Sequence, residues 1–356
     1  MPSLAFSATY PLPNPGNDIV GEAYYVKAYS GDTLAKVGLR YGMSYHQMTE
    51  ANPKINPNIA LRAGQRILIP GQFILPPIRK GIVVNMAELR MYYFPPNSNY
   101  VMTFPVAMGR DQWRTPTVAT TVVMKEKDPV WNVPETIRQY HYEQTGELLP
   151  EAVPSGPKNP LGHYALHLGV SGYLIHGNNA PSSIGKFVSS GCIRMNNADI
   201  ETLFNMVKVG TPVYIVHYPT KVGWNNGVLY QQSQVPVEID DTPSTLNQPS
   251  YEAVVDSAIR VRPAAVDWGI AGKTAKQHLG IPEPIGQANS RSVDADASHA
   301  LPSPTTTTIS YHDNKQDSSL LTATGNDEPS MTNGESNSVD DQSWSPANSF
   351  DGGNGE

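Results

Sequence analysis

The hydrophobic pattern of this chain changes period at the proline-rich stretch PGQFILPPIRKG, and that change limits the folds open to it. Downstream, GIVVN, ELRMYYF and YVMTFPVAM alternate with period two and are separated by turn residues such as PPNSN. TPTVATTVVMKEKDPVW, HYALHL, GYLIHG and PVYIVHY continue the series. Successive strand side chains face opposite ways, so this alternation predicts a mostly-β domain over residues 80–218. One main helix is expected inside it, at Ala198–Val207. Ile200, Leu203, Phe204 and Val207 follow helical spacing there, and Asn196 or Asn197 can cap it.

Upstream, residues 23–71 read strand, helix, helix, strand. YYVKAY is strand-like, and SGDT offers Asp32 as an N-cap for a helix carrying Leu34, Val37 and Tyr41. Gly42 ends that helix. Ser44 and Gln47 have capping-box spacing, and Met48 and Ala51 continue the next apolar face. NPKINPN supplies turn chemistry and QRILIP a closing strand. Residues 1–22 are left as an N-terminal extension.

The chain has 356 residues, enough for two domains, and a single cysteine, so no intramolecular disulfide can form. No apolar run approaches the roughly 20 residues that span a bilayer. MPSLAFSATYPLPNPG lacks a basic and an apolar segment and is not an intact signal peptide; AFSA is compatible with a leader already removed. Residues 286–356 hold 11 acidic and 2 basic residues, a net charge of −9 against −7 for the whole chain. That Ser/Thr/Asn-rich segment is expected to be a disordered acidic tail. No basic patch points to nucleic acid. Residues 219–285 form a C-terminal extension, expected to be partly helical at Val254, Val255, Ala258 and Ile259 and ended by Arg262-Pro263.

The lone cysteine lies in IHGNNAPSSIGKFVSSGCIRM, 16 residues after His176. A lone Cys is commonly core filler, and a lone His commonly a satisfied structural residue. Three features favour chemistry here. Gly191 lets the backbone approach a substrate, so the Gly191 and Cys192 N–H groups can face a developing oxyanion. Arg194 places a positive charge near the thiol and favours thiolate. His176 ends an apolar strand at a Gly-Asn loop, where a scaffold presents a base. A zinc site at His163 and His167 fails, because four strand residues span roughly 13 Å. His141, His217 and His278 lack partners at ligand spacing. Trp113, Trp131 and Tyr164 read as core, with Tyr164 also a candidate wall of a donor cleft.

Two resemblances follow from these residues. SGDTLAKVGLRYGMSYHQMTEANPKINPN…LRAGQRILIP resembles a LysM domain, a module that binds N-acetylglucosamine polymers such as peptidoglycan. HGNN…SIG…VSSGCIRM resembles the signature of L,D-transpeptidases with a YkuD-type catalytic domain, a β-sandwich in its fold. The LysM-bearing, lipoprotein-linking branch of Gram-negative periplasms is the most similar. The resemblance implies Cys192 as nucleophile, His176 as general base and acid, and the Gly177 carbonyl as the group orienting His176. It implies substrate contacts at Arg194, Ser190 and Asn178. Many members have His at the position of Ser190 and Thr at that of Asn178, so an auxiliary imidazole is missing here. The implied reaction is acyl transfer from diaminopimelate of a tetrapeptide stem, with release of D-alanine. An amine then resolves the thioester, and no cofactor or metal is needed. The implied partners are stem peptides, glycan strands and a Braun-type lipoprotein, without nucleic acid or a membrane span; carbapenems are the implied inhibitors. Two other readings stay open: a carboxypeptidase or crosslink-cleaving amidase with water as acceptor, and a wall-binding protein without enzymatic activity.

Overall fold

The computed structural model describes residues 8–237 and 249–289, with the backbone of 310–311. Strand β1 (Ala8–Pro11) is followed by β2 (Ile19–Lys27), α1 (Leu34–Arg40), α2 (Tyr45–Ala51) and β3 (Arg66–Ile74). Then come β4 (Gly81–Asn85), β5 (Arg90–Phe94), β6 (Tyr100–Pro105), β7 (Met108–Gly109), β8 (Val118–Lys127) and β9 (Trp131–Asn132). Helix α3 (Glu135–Thr145) precedes β10 (Ala152–Val153), β11 (Tyr164–Leu168), β12 (Leu174–His176), β13 (Phe187–Ser189) and β14 (Ile193–Arg194). After α4 (Asn197–Met206) and β15 (Pro212–Val216), the chain continues as β16 (Thr220–Asn225), β17 (Val228–Ser233), α5 (Tyr251–Val261), β18 (Ala264–Val266), α6 (Trp268–Gln277) and β19 (Glu283–Ala288). Ser310–Tyr311, β20, pairs in parallel with Tyr24 and Tyr25 of β2.

The strand-rich domain is built on a nine-stranded sheet in the order β1-β6-β5-β4-β15-β8-β11-β12-β14. Its period-two pattern decides what each face meets. Ile82 and Val84 of β4 enter the core shared with Ile200 and Leu203 of α4. Val83 points the other way, and with Tyr92, Phe94 and Val101 it joins the core of the β2-α1-α2-β3 unit. That unit is therefore packed onto the sheet rather than strung from it. Lys125 closes α4 by donating from Nζ to the carbonyls of Phe204 and Val207, where a cation also suits the helix dipole.

Several boundaries move. The proline-rich stretch PGQFILPPIRKG, read from the sequence as a linker, begins as strand: β3 runs to Ile74, and Phe73 and Ile74 are buried. Residues 8–22 of the extension are ordered too, because β1 pairs with β6 and β2 begins at Ile19. Ser44 and Gln47 form the reciprocal capping box of α2. Asp32 does not cap α1; Thr33 does, accepting from the Lys36 N–H, while Asp32 pairs with Arg40 at 2.7 Å. Residues 219–285 are far more than helical. β16-β17-β19-β18 form a four-stranded sheet with its own core of Trp224, Leu229, Val255, Ala271 and Ile285. Because β19 ends at Ala288, the assignment of a tail from 286 is corrected there; apart from β20, the rest of that segment lies outside the described residues. Helix α3, with no buried residue, is a second helix in the strand-rich domain.

A buried polar cluster joins the three units. Lys221 of β16 pairs with Glu88 at 2.6 Å, their side chains 3% and 0% exposed. Lys221 also donates to the Ile74 carbonyl, and the Ile74 N–H donates to Gln232 at 2.8 Å. Arg90, fully buried over the Phe73 ring, donates to Gly42 O at 2.7 Å, Gln47 Oε1 at 2.8 Å and Thr103 Oγ1 at 2.8 Å. Removing one partner of such a pair leaves an uncompensated buried charge. Lys221→Met is expected to destabilise the protein by about 3–5 kcal/mol, read as a lowered urea midpoint. A midpoint equal to wild type would show that the pair carries no such role.

Candidate active site

The separation of 16 positions between His176 and Cys192 is closed by the parallel pairing of β12 with β14. Ile175 pairs with Ile193 and both enter the core, so His176 and Arg194, the next pair, face the opposite way. Cys192 lies in the bend one step before Ile193, close enough to Arg194 for each charge to act on the other. The Met195 N–H, donating to His176 O at 2.8 Å, and two hydrogen bonds between Ala107 and Arg194 hold the pairing beyond its ends.

His176 is 3% exposed, and its Nδ1 lies 2.7 Å from the Gly177 carbonyl. A carbonyl only accepts, so Nδ1 carries the proton and Nε2 keeps its lone pair. Burial pushes the imidazole down to about 3, helped by the charge of Arg194 and opposed by the Gly177 and Pro160 carbonyls. Cys192 is half-buried, with Sγ 3.5 Å from the Gly172 carbonyl. Burial raises the thiol above its ordinary value. The Leu174 backbone and Arg194 both oppose that shift and lose to it. The expectation that Arg194 would favour thiolate is right for its field and wrong for the sum. Burial thus favours the neutral form of both the thiol and the imidazole.

The cysteine turn is clamped on both sides. Gly191 sits at φ +104, where an added Cβ would come within 3.1 Å of the Tyr173 ring. Thr115 Oγ1 donates to Gly191 O at 2.7 Å and accepts from the Gly109 N–H at 3.0 Å. Ser189 Oγ donates to the Cys192 carbonyl, while Ser190 stays half-buried. Asn178 is 3% exposed, and its amide donates to Met195 O at 2.5 Å. The Asn197 side chain accepts from the Asn178 N–H and donates to the Asn178 carbonyl, at 2.9 Å each. Asn178 is therefore built into the loop that follows His176, with its Oδ1 buried and without a partner.

Tyr164 is reassigned. Ala165 faces His176 across β11 and β12, so Tyr164 projects from the other face, where it packs on Phe204 and donates to Glu201 at 3.0 Å. His163 and His167 pair separately with Asp128 at 2.7 Å and Glu126 at 2.8 Å. Among the described residues no three His, Cys, Asp or Glu side chains cluster as a metal site. His217, pushed down to about 4 by burial, accepts from the Val237 N–H at 3.1 Å.

Two neighbours of the site carry no motif in the sequence. Arg110 lies over the rings of Trp113 at 4.6 Å and Tyr140 of α3 at 5.2 Å, beside the strand that bridges Arg194. The N-terminus of α2 braces the loop between His176 and Cys192. His46 N–H donates to Gly185 O at 3.3 Å, and its ring meets Phe187 edge-on. A Cβ at Gly185 would lie 2.3 Å from the Tyr45 nitrogen.

A strand-rich domain that carries this cysteine and histidine, joined to a βααβ unit, defines a class that comparison with known proteins identifies. The L,D-transpeptidase catalytic domain, YkuD, matches residues 79–215, and the LysM domain matches residues 26–70. Probable L,D-transpeptidase YcfS of Escherichia coli is 41% identical over 247 residues, covering 67% of this chain and 77% of its own length. Probable L,D-transpeptidase ErfK/SrfK of Escherichia coli is 44% identical over 222 residues, covering 61% and 70%. The chain belongs to the L,D-transpeptidase family.

The histidines fix an acid limit on stability. The folded pKa of about 3 for His176 and about 4 for His217 lies below the ordinary value of 6.5, so the unfolded chain binds more protons. Their full contribution holds above pH 6.5 and is lost as pH falls toward those folded values. The slope is expected to reach about 1.4 kcal/mol per pH unit for each histidine. Urea unfolding from pH 7 to pH 4 checks this, and His217→Gln is expected to flatten the curve by one proton's worth.

Proposed function

We propose that Cys192 and His176 carry out L,D-transpeptidation of peptidoglycan. The observation that supports this most is the parallel register Ile175 to Ile193 and His176 to Arg194, which sets imidazole and guanidinium on one face and brings Cys192, the residue before Ile193, to the end of the same pairing. Because the imidazole is buried and weakly basic while the thiol is raised, the proton leaves sulfur for Nε2 as Sγ attacks, not beforehand. A C–S bond forms at the diaminopimelate carbonyl of a tetrapeptide stem. The C–N bond to D-alanine then breaks, and the imidazolium gives its proton to the departing amine. An acceptor amine, from a second stem or a lipoprotein lysine, attacks the thioester, loses a proton to His176 and restores the thiol. The Gly191 and Cys192 N–H groups are the candidates for holding the oxyanion. Ser190 stands at the mouth of the turn, and Gly177 fixes the tautomer of the base. Amide is exchanged for amide, so no nucleotide is needed.

The LysM unit binds the same polymer and raises the local concentration of stems. That polymer places the enzyme in the periplasm. No helix among the described residues is long and apolar enough to cross a membrane.

Incubation with tetrapeptide muropeptides, with and without a lipoprotein C-terminal peptide, tests the assignment. Crosslinked dimers or peptide-linked stems are expected; tripeptides alone would mean that water is the acceptor. Cys192→Ala is expected to abolish turnover, at least about 10³-fold, and a carbapenem is expected to add its mass at Cys192. The raised thiol sets a further outcome: alkylation of Cys192 should keep rising beyond pH 9. A plateau near neutral pH would reveal a thiolate–imidazolium pair and overturn the neutral resting state.

A further inference from the structure

Arg194 stands near Cys192 and Arg110 near Arg194, and among the described residues no carboxylate pairs with either guanidinium. Arg194 is 6% exposed, and neither its Nε nor its Nη1 meets an acceptor. Arg110 leaves its own Nε buried and without an acceptor. The backbone makes them neighbours: Ala107 exchanges hydrogen bonds with Arg194, and three residues on, the Arg110 N–H donates to Ser189 O at 3.0 Å. The charge of Arg110 also disfavours that of Arg194, as expected of like groups close together. Asp111, next in sequence to Arg110, has an 89% exposed side chain and lies 3.7 Å from Arg114.

Burying like charges and orphaned donors is costly, and folds keep such arrangements where a ligand supplies the anion. Arg110 is shaped for that use. Its planar group is stacked on Trp113 and Tyr140, which leaves the N–H edge as the direction for a carboxylate.

Arg194 follows Cys192 by two positions, and each charge acts on the other. In a donor stem, the α-carboxylate of the residue about to leave lies about 3.5 Å beyond the attacked carbonyl, so an anion-holding group next to the nucleophile meets that carboxylate first. We propose that Arg110 and Arg194 together hold the α-carboxylate of the donor's departing residue, and that Arg110 thereby selects stems ending one residue past the bond broken. This rests on the transpeptidase reading above and names the specificity of the same site.

Three synthetic donors test it with the full chain: a tetrapeptide stem with a free C-terminal carboxylate, its C-terminal carboxamide, and a stem amidated instead on the diaminopimelate side-chain carboxylate. Wild type is expected to lose at least about tenfold in kcat/KM on the C-terminal carboxamide, mostly through KM, and far less on the side-chain amide. Arg110→Gln is expected to narrow the preference for the free terminus to under about threefold. Wild type using both C-termini equally, or losing activity only with the side-chain amide, overturns the proposal whether or not the variant folds. A full preference retained by Arg110→Gln overturns the part given to Arg110. Turnover of none of the three donors by wild type would instead remove the transpeptidase reading itself.

Discussion

Arg90 and the Glu88–Lys221 pair are the physical constraint on which the rest of the architecture depends. Each of these charges lies out of water, and each has at least one partner in another unit. Arg90 reaches the turn after α1 and the side chain that caps α2; Lys221 reaches the carbonyl at the end of β3. Such groups are worth burying only when every partner is in place. The LysM unit, the sheet and the C-terminal unit are therefore committed to one arrangement. Apolar packing of Val83 and Tyr92 against the LysM core supplies the attraction, and the polar cluster supplies the uniqueness.

The catalytic face is ruled by a conflict between desolvation and charge. Arg194 pulls the thiol toward ionisation while burial pushes the other way and prevails, and the same burial keeps His176 unprotonated. Burial thus works against both a stored thiolate and a stored imidazolium. What it does hold fixed is geometry: the tautomer of His176, the left-handed backbone at Gly191 and the paired amides of Asn178 and Asn197. Preorganised groups of this kind act where charge develops during the reaction.

Much of this was legible in the sequence, and the reasons differ from place to place. Ser44 and Gln47 announced α2 because a capping box is a local device, satisfied within one turn. Cys192 and His176 stood out because their residue types carry chemistry and their flanking segments alternate. The C-terminal unit was less visible, although Asn226-Gly227, both at positive φ between β16 and β17, is a turn signal that favours a hairpin. Helix α3 buries no residue, so it leaves no apolar period to read. The face to which Tyr164 belongs, the burial of Asn178 and the rings beneath Arg110 depend on register and tertiary packing, which residue types alone do not encode.

The contact at Gly185 has a mechanical consequence. Since α2 rests directly on the loop leading to the nucleophile, a glycan seated on the LysM unit cannot swivel independently of Cys192. Stems project from a glycan at fixed intervals and angles. A rigid body of this kind acts as a gauge, admitting only those at the right distance and bearing from the anchored sugar. A loose leash would instead let every stem within its radius compete.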